Sequence, residues 1–233
     1  MATAFEPAAD LHGFSGVAPI FPLPSLVLFP HAIQPLHVFE PRYRRMIADA
    51  LAGERLIGLV LLKPGWESNY EGRPPIHEMA CLGKISNEER LPDGKFNLML
   101  HGLQRAVVVE ETPADKPYRV ARLELYKDFY PEPPVIHRDA RRLELLSAFR
   151  RLFPEPDYDQ AINGLTEANL PLGVLCDVLS FALQLNPERK QELLEEVDVD
   201  QRSDLLLTRL RENLRKPRRK RVRKLFPPPF SMN

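Results

Sequence analysis

The chain has 233 residues, 44% hydrophobic and 27% charged, the balance of an ordinary globular protein with room for a sizeable core. Its 32 basic and 32 acidic residues cancel, but eight of the Lys and Arg residues fall within 215–224, which leaves 24 basic against 32 acidic residues over 1–213, a net of −8. A mildly acidic body argues against general nucleic-acid binding by the body and leaves only the basic tail for that role.

Cys81 and Cys176 stand alone in apolar surroundings. This argues against a disulfide framework and fits a reducing compartment. The first 16 residues have no basic segment followed by an apolar run, and no stretch approaches a membrane-spanning length. The expectation is a cytoplasmic protein with no membrane partner. Proline is frequent, 24 residues, about twice the usual ~5%, and it punctuates short elements.

In chain order, residues 1–18 read as a flexible lead. Ile20–Leu23 and Leu26–Phe29 are short apolar segments bracketed by Pro19, Pro22, Pro24 and Pro30, which predicts edge or bulged strands. Leu36 and Val38 belong to another short extended piece. Glu40-Pro41 opens a helix, because proline suits the first helical turn. Tyr43, Met46, Ile47, Ala50 and Leu51 give that helix one buried face, and Gly53 is its expected cap. Ile57–Leu62 predicts a strand buried on both sides. Residues 63–79 have no period and form a loop carrying Trp66 and Tyr70. Ala80–Ile85 and Phe96–Leu100 flank the Pro92-Asp93-Gly94 turn as a hairpin. Val107–Val109 and Tyr118–Tyr126 supply further strands. A small barrel or curled sheet would cover the edges of so many short strands.

The pattern changes at Pro131-Glu132-Pro133-Pro134. Leu145, Leu146, Phe149, Leu152 and Phe153 share a helical face that Pro154 ends. A short helix is expected over Tyr158–Leu165. Pro171–Leu185 is apolar nearly all round, which predicts the centre of a bundle. Asn186-Pro187 starts the next helix, and Leu206, Leu207, Leu210 and Leu214 line the last. Strands first and helices second give an α+β class, divided as a β-rich part over 19–129, a helical part over 130–214 and a basic, Pro-rich tail over 215–233.

Catalytic patterns are missing. No phosphate loop or dinucleotide fingerprint occurs, the six histidines are scattered without metal-ligand spacing, and no serine sits in a nucleophile elbow. Cys81 and Cys176 read as inert core residues. The reading is therefore no enzyme, no cofactor and no metal. Trp66 and Tyr70, aromatics in a polar loop, are the leading binding candidates, with Phe21 and Phe29 on the edge-like strands beside them. Arg218, Arg219, Lys220 and Arg221 would carry nucleic-acid binding, the alternative function.

Three stretches resemble one family. IFPLPSLVLFPHAIQPLHVFEPRYRRMI (20–47) is similar to the opening of the N-terminal, substrate-binding domain of the ATP-dependent Lon protease, and its ending resembles stand-alone Lon-domain proteins. LPDGKFNLMLHGLQRAVV (91–108) is similar to the family's turn, strand, Gly and Arg block, with Gly102 and Arg105 at matching places. KQELLEEVDVDQRSDLLLTRL (190–210) resembles its helical close, a Gln-x-Leu-Leu-Glu stretch ahead of an Asp-Val and an Arg. Two departures stand out: His31 where the family often has Gly, and Ala106 where an aromatic is common. The resemblance implies a PUA-like β pseudo-barrel followed by a C-terminal helical bundle. It also implies a lone domain without the ATPase and peptidase modules, whose partner is a polypeptide or an assembling protein. The alternatives are RNA binding through 215–224 and an accessory role in an ATP-dependent proteolytic system. The oligomeric state is left open.

Overall fold

The computed structural model describes residues 11, 13–113, 115–154, 156–215 and 231–232. Strands dominate the first half: β1 (Val17–Leu23), β2 (Ile33–Val38), β3 (Leu56–Leu61), β4 (Met79–Arg90), β5 (Phe96–Thr112) and β6 (Arg119–Tyr126), with helix α1 (Pro41–Ala52) between β2 and β3. Helices fill the second half: α2 (Arg138–Leu152), α3 (Pro156–Glu167), α4 (Leu172–Ala182), α5 (Pro187–Glu195) and α6 (Val199–Arg215). A two-residue strand, β7 (Ser231–Met232), follows. The α+β class is thus observed. Among the described residues no helix is long and apolar enough to cross a membrane.

The strand order β4-β3-β1-β6-β5, with β5 also pairing with β4, closes five strands into a ring. β2 lies outside it. One flank of β5 is divided, its first half pairing with β2 and its second with β6. Two register shifts interrupt the β4–β5 ladder. The result is a pseudo-barrel with an outrigger strand.

Small residues let so narrow a ring close. Ala18, Ile20, Val60, Ala80, Leu82, Ala106, Ala121 and Leu123 fill its interior as a separate cluster. A Cβ added to Gly58 would come within 3.3 Å of the Ile20 and Leu123 side chains. Ala106 is thereby explained, since it occupies this narrow interior. The continuous apolar run of β3 has a two-sided cause. Leu56 and Val60 face the ring interior, while Ile57, Leu59 and Leu61 face a larger core built with α1 and the helices of the second half. That second core runs unbroken from Phe21 to Leu210.

The expected helices are present. Tyr43, Met46, Ile47 and Ala50 of α1 are buried, and the Gly53 N–H closes on the Ala50 carbonyl at 3.1 Å. The left-handed residue after α1 is Arg55, not Gly53. Asn186 caps α5 by accepting from the Arg189 N–H at 3.2 Å.

Three strand expectations need correction. Leu26–Phe29 is not a strand; it crosses β5 as buried irregular chain, with His31 N–H donating to the Gly102 carbonyl and Gly102 N–H to the Ala32 carbonyl, both at 2.8 Å. A Cβ on Gly102 would overlap the Phe29 carbonyl, so only glycine permits the crossing. β1 is not an edge: Val17–Ile20 pair with β6 and Ile20–Leu23 with β3, so each half of this proline-containing strand needs one partner. Val107–Val109 is no separate strand, because β5 runs unbroken through Gly102. His31 adopts φ 64°, the left-handed conformation a glycine would take there, so the turn survives the replacement.

Candidate functional site

The loop from β3 to β4 is anchored to the start of α1. Gly65 (φ 88°) turns the chain into one 3-10 turn, Trp66–Asn69, which places Trp66 edge-on to Tyr70 with ring centroids 5.4 Å apart. Both side chains are partly exposed. The Tyr70 hydroxyl donates to Glu40 Oε1 at 2.6 Å, and Arg42 Nη1 donates to the Tyr70 carbonyl at 3.3 Å. The Arg42 guanidinium also lies between two rings, 4.6 Å from Tyr43 and 4.8 Å from Tyr70. The Glu40-Pro41 helix start therefore fixes the aromatic loop as well as the helix.

Behind Tyr70 opens a cavity of about 290 Å³, bounded by α1, the aromatic loop and the turn into β6. Tyr43, Tyr70 and Tyr118 supply apolar faces, and Arg42, Arg73, Lys116 and Arg119 supply cationic groups. Each cation has an acidic counterpart. Arg42 meets Glu40 at 3.0 Å, Arg73 and Arg119 share Glu111, and Lys116 meets Asp49 at 2.7 Å. Arg119 also donates to the Pro74 carbonyl at 2.8 Å, which braces the loop.

These partners set the protonation states. Hydrogen bonds from Lys116 and Tyr118 hold Asp49 down at about 2. Burial, then the Glu40 carboxylate, pushes Tyr70 up to about 12. Burial likewise raises Tyr43 and Tyr118. The tyrosines are thus neutral hydrogen-bond donors near neutral pH, on a surface that combines aromatic faces with paired charges. Such a surface can hold an amphipathic segment, and it contains no activated nucleophile.

A second constellation joins the barrel to the helices. Arg105 on β5 is buried and makes a two-pronged pair with Asp177 on α4, at 2.8 and 2.6 Å. Its Nε donates to the Leu194 carbonyl of α5 at 2.8 Å, and Nη1 reaches Asp128 at 3.2 Å. Arg202 on α6 completes the group, bonding Asp128 at 2.6 Å and the Glu196 carbonyl at 2.8 Å. Gln191 adds a bond from Nε2 to the Met79 carbonyl at 2.8 Å. Gly173 makes room, since a Cβ there would overlap Asp128. Burial opposes ionisation of Asp177, yet Arg105 and Arg202 hold its carboxyl below the usual range.

Residues 17–212 match the model of the ATP-dependent protease La (LON) substrate-binding domain. The chain belongs to this family. A Lon protease of Dictyoglomus thermophilum is 32% identical over 187 residues, which cover 80% of this chain and 23% of the relative. Lon protease 2 of Myxococcus xanthus is 29% identical over 203 residues, 85% of this chain and 24% of that one. The chain thus spans about a quarter of the curated relatives it matches. Among solved structures, the N-terminal domain of the Mycobacterium avium complex Lon protease superposes with a TM-score of 0.67 at 17% identity, covering 84% of this chain and 98% of that one. The Lon N-terminal domain protein from Xanthomonas campestris gives 0.57 at 22% identity, with 82% and 97% covered. At these identities the structures establish the Lon N-terminal fold.

The sequence-derived site residues separate into three groups. Trp66 and Tyr70 come together beside the cavity. Phe21 and Phe29 do not join them; they are 3% and 0% exposed and belong to the large core, so their side chains offer no binding surface. Their apolar character reflects packing. Arg218, Arg219, Lys220 and Arg221 lie outside the described residues. The sequence reading missed Asp177. A lone carboxylate within the apolar run of α4 was the available signal, because such a group requires a buried cation. Cys81 and Cys176 are buried, and burial raises both thiols, Cys176 to about 12. Among the described residues no group of three or more metal-ligating side chains gathers.

Proposed function

We propose that the chain is a non-catalytic module that recognises polypeptide segments, and that it serves ATP-dependent proteolysis by holding such segments rather than by cutting them. The observation that carries the reading is the partly exposed Trp66–Tyr70 pair, fastened to α1 beside a cavity of about 290 Å³. Aromatic anchors on a braced loop lose little conformational entropy on binding, and they offer apolar area with hydrogen-bond capacity. Paired cations at the rim accept a mixed polar and apolar chain without a fixed sequence. Membership in a family described as substrate-binding supports the same reading. The raised, buried thiols support a role without covalent chemistry.

The test is fluorescence anisotropy with a carboxymethylated, permanently unfolded model protein. Wild type should bind it, and Trp66→Ala with Tyr70→Ala should weaken binding by about 2 kcal/mol, roughly 30-fold. Equal binding by the variant, with its fold intact, sinks the assignment to this surface. Degradation of the probe by the purified chain sinks the non-catalytic reading.

A further inference from the structure

β2 is where the sheet ceases to be closed. β5 covers one of its flanks along the whole strand. Among the described residues the other flank meets only β7, in parallel, with Leu36 opposite Ser231 and His37 opposite Met232. The ladder decides which backbone groups face that flank. Gly102 donates to the Ala32 carbonyl, so by alternation residues 34, 36 and 38 turn their polar groups toward β5, and residues 33, 35 and 37 turn theirs outward. Pro35 therefore sits where its missing N–H costs the ladder nothing. Its carbonyl accepts from Gln34 Nε2 at 2.7 Å. Ile33 and His37 are left as the outward N–H donors.

The side chains beside this flank are apolar and accessible. Ile33 is 48% exposed and Phe39 39% exposed, and the His37 ring lies 6.2 Å from that of Phe39. Ile33 and His37 share a face by the period of the strand. An edge with outward-facing donors and apolar neighbours is a template for another strand. Residues 231–232 cover part of it, and the six residues before them in the sequence read LFPPPF, an uncharged apolar run.

We propose that the outer edge of β2 is a strand-addition site for an extended apolar polypeptide segment, and that the chain's own residues 231–232 are its resident occupant. An incoming segment aligns parallel to β2, engages the His37 N–H, and sets apolar side chains against Ile33 and Phe39. It must first displace residues 231–232, so the resident strand sets a threshold for binding. The class of ligand rests on the polypeptide-recognition reading above, but the edge shares no residue with the lining of the aromatic cavity.

The His37 amide is the reporter. Its hydrogen exchange is measured by NMR in the full chain, in the Ser231→Pro variant and in a chain lacking 225–233. The two described cores draw on no residue past Leu214, so the deletion spares both. Exchange at His37 should accelerate about tenfold or more in both altered chains, as expected when an edge donor loses its partner. Leu36 and Val38, bonded to β5, should not change. Adding the peptide LFPPPFSMN to the shortened chain should restore protection at His37. Identical His37 exchange in all three chains overturns the proposal. So does acceleration without restoration by the peptide, or protection that returns with protein concentration, which would assign the edge to a second copy. Because the first comparison uses no added polypeptide, it reports on the edge even if Trp66 and Tyr70 prove irrelevant to binding.

Discussion

Two of the regions where arginines meet carboxylates have different consequences. Between barrel and helices, Arg105, Asp177 and Arg202 are almost fully buried and bonded to one another, to Asp128 or to backbone carbonyls. Around the aromatic cavity, Arg42, Arg73, Lys116 and Arg119 pair with acids that stay partly in water. The buried set has few other arrangements available, because any unpaired member would be a charge without solvent. Of the cavity set, the exposed Arg73 and Lys116 can exchange partners at small cost, whereas buried Arg119 is held by Glu111 and the Pro74 carbonyl. The seam is fixed and the exposed rim can adapt, which is what the proposed holding of varied segments would require.

The sharpest way to break this contrast is at the seam. Arg105→Ala should lower stability to urea by about 3–5 kcal/mol, because it strands Asp177 in the core. Arg105→Met combined with Asp177→Leu should recover most of that loss. If the single variant unfolds at the wild-type denaturant midpoint, the buried network is not what joins the two halves. Gly102→Ala comes next. Its Cβ would press into the Phe29 carbonyl where the irregular chain crosses β5, and overpacking of this kind costs about 1–3 kcal/mol. A variant with an unchanged melting temperature would mean the crossing is looser than described.

Acid should weaken both regions in the same direction. Asp177 titrates below its unfolded value despite burial, because Arg105 and Arg202 favour its charged form. Asp49, held at about 2 by Lys116 and Tyr118, behaves in the same direction. A depressed carboxyl contributes stability that is present above its unfolded pKa and lost as pH falls through the folded one. Melting temperature should therefore hold from neutrality down to about pH 5 and fall progressively below it. In Arg105→Met/Asp177→Leu that fall should be shallower. The smallest effect expected is that of Tyr70→Phe, which removes the bond to Glu40 at about 0.5–1.5 kcal/mol of stability while leaving the Arg42 stacking in place.

Much of the fold was legible because its signals are local. Glu40-Pro41, Asn186-Pro187 and the spacing of Tyr43, Met46 and Ile47 mark elements without tertiary help. The failures arose where distant chain intervened. Leu26–Phe29 has strand composition but follows the surface of β5. Phe21 and Phe29 resemble edge aromatics but fill the core. Gly102, Arg105 and the Gln-x-Leu-Leu-Glu run were legible as family marks, yet their common purpose was not. Residues 91–108 and 190–210 converge on one seam that only the folded chain assembles. Of the candidate site, only the aromatics Trp66 and Tyr70 could be picked out from the loop sequence; the cavity beside Tyr70 is assembled with α1 and the turn into β6.

The central claim concerns where a polypeptide is held, so backbone amide shifts during titration with the carboxymethylated unfolded protein test it most directly. Recognition at the aromatic loop predicts shifts at residues 66–74, 40–43 and 116–119, separate from any at 33–39 that report the β2 edge, with little change at the seam around Arg105 and Asp177. Shifts confined to other surfaces, or none at saturating probe, would contradict it.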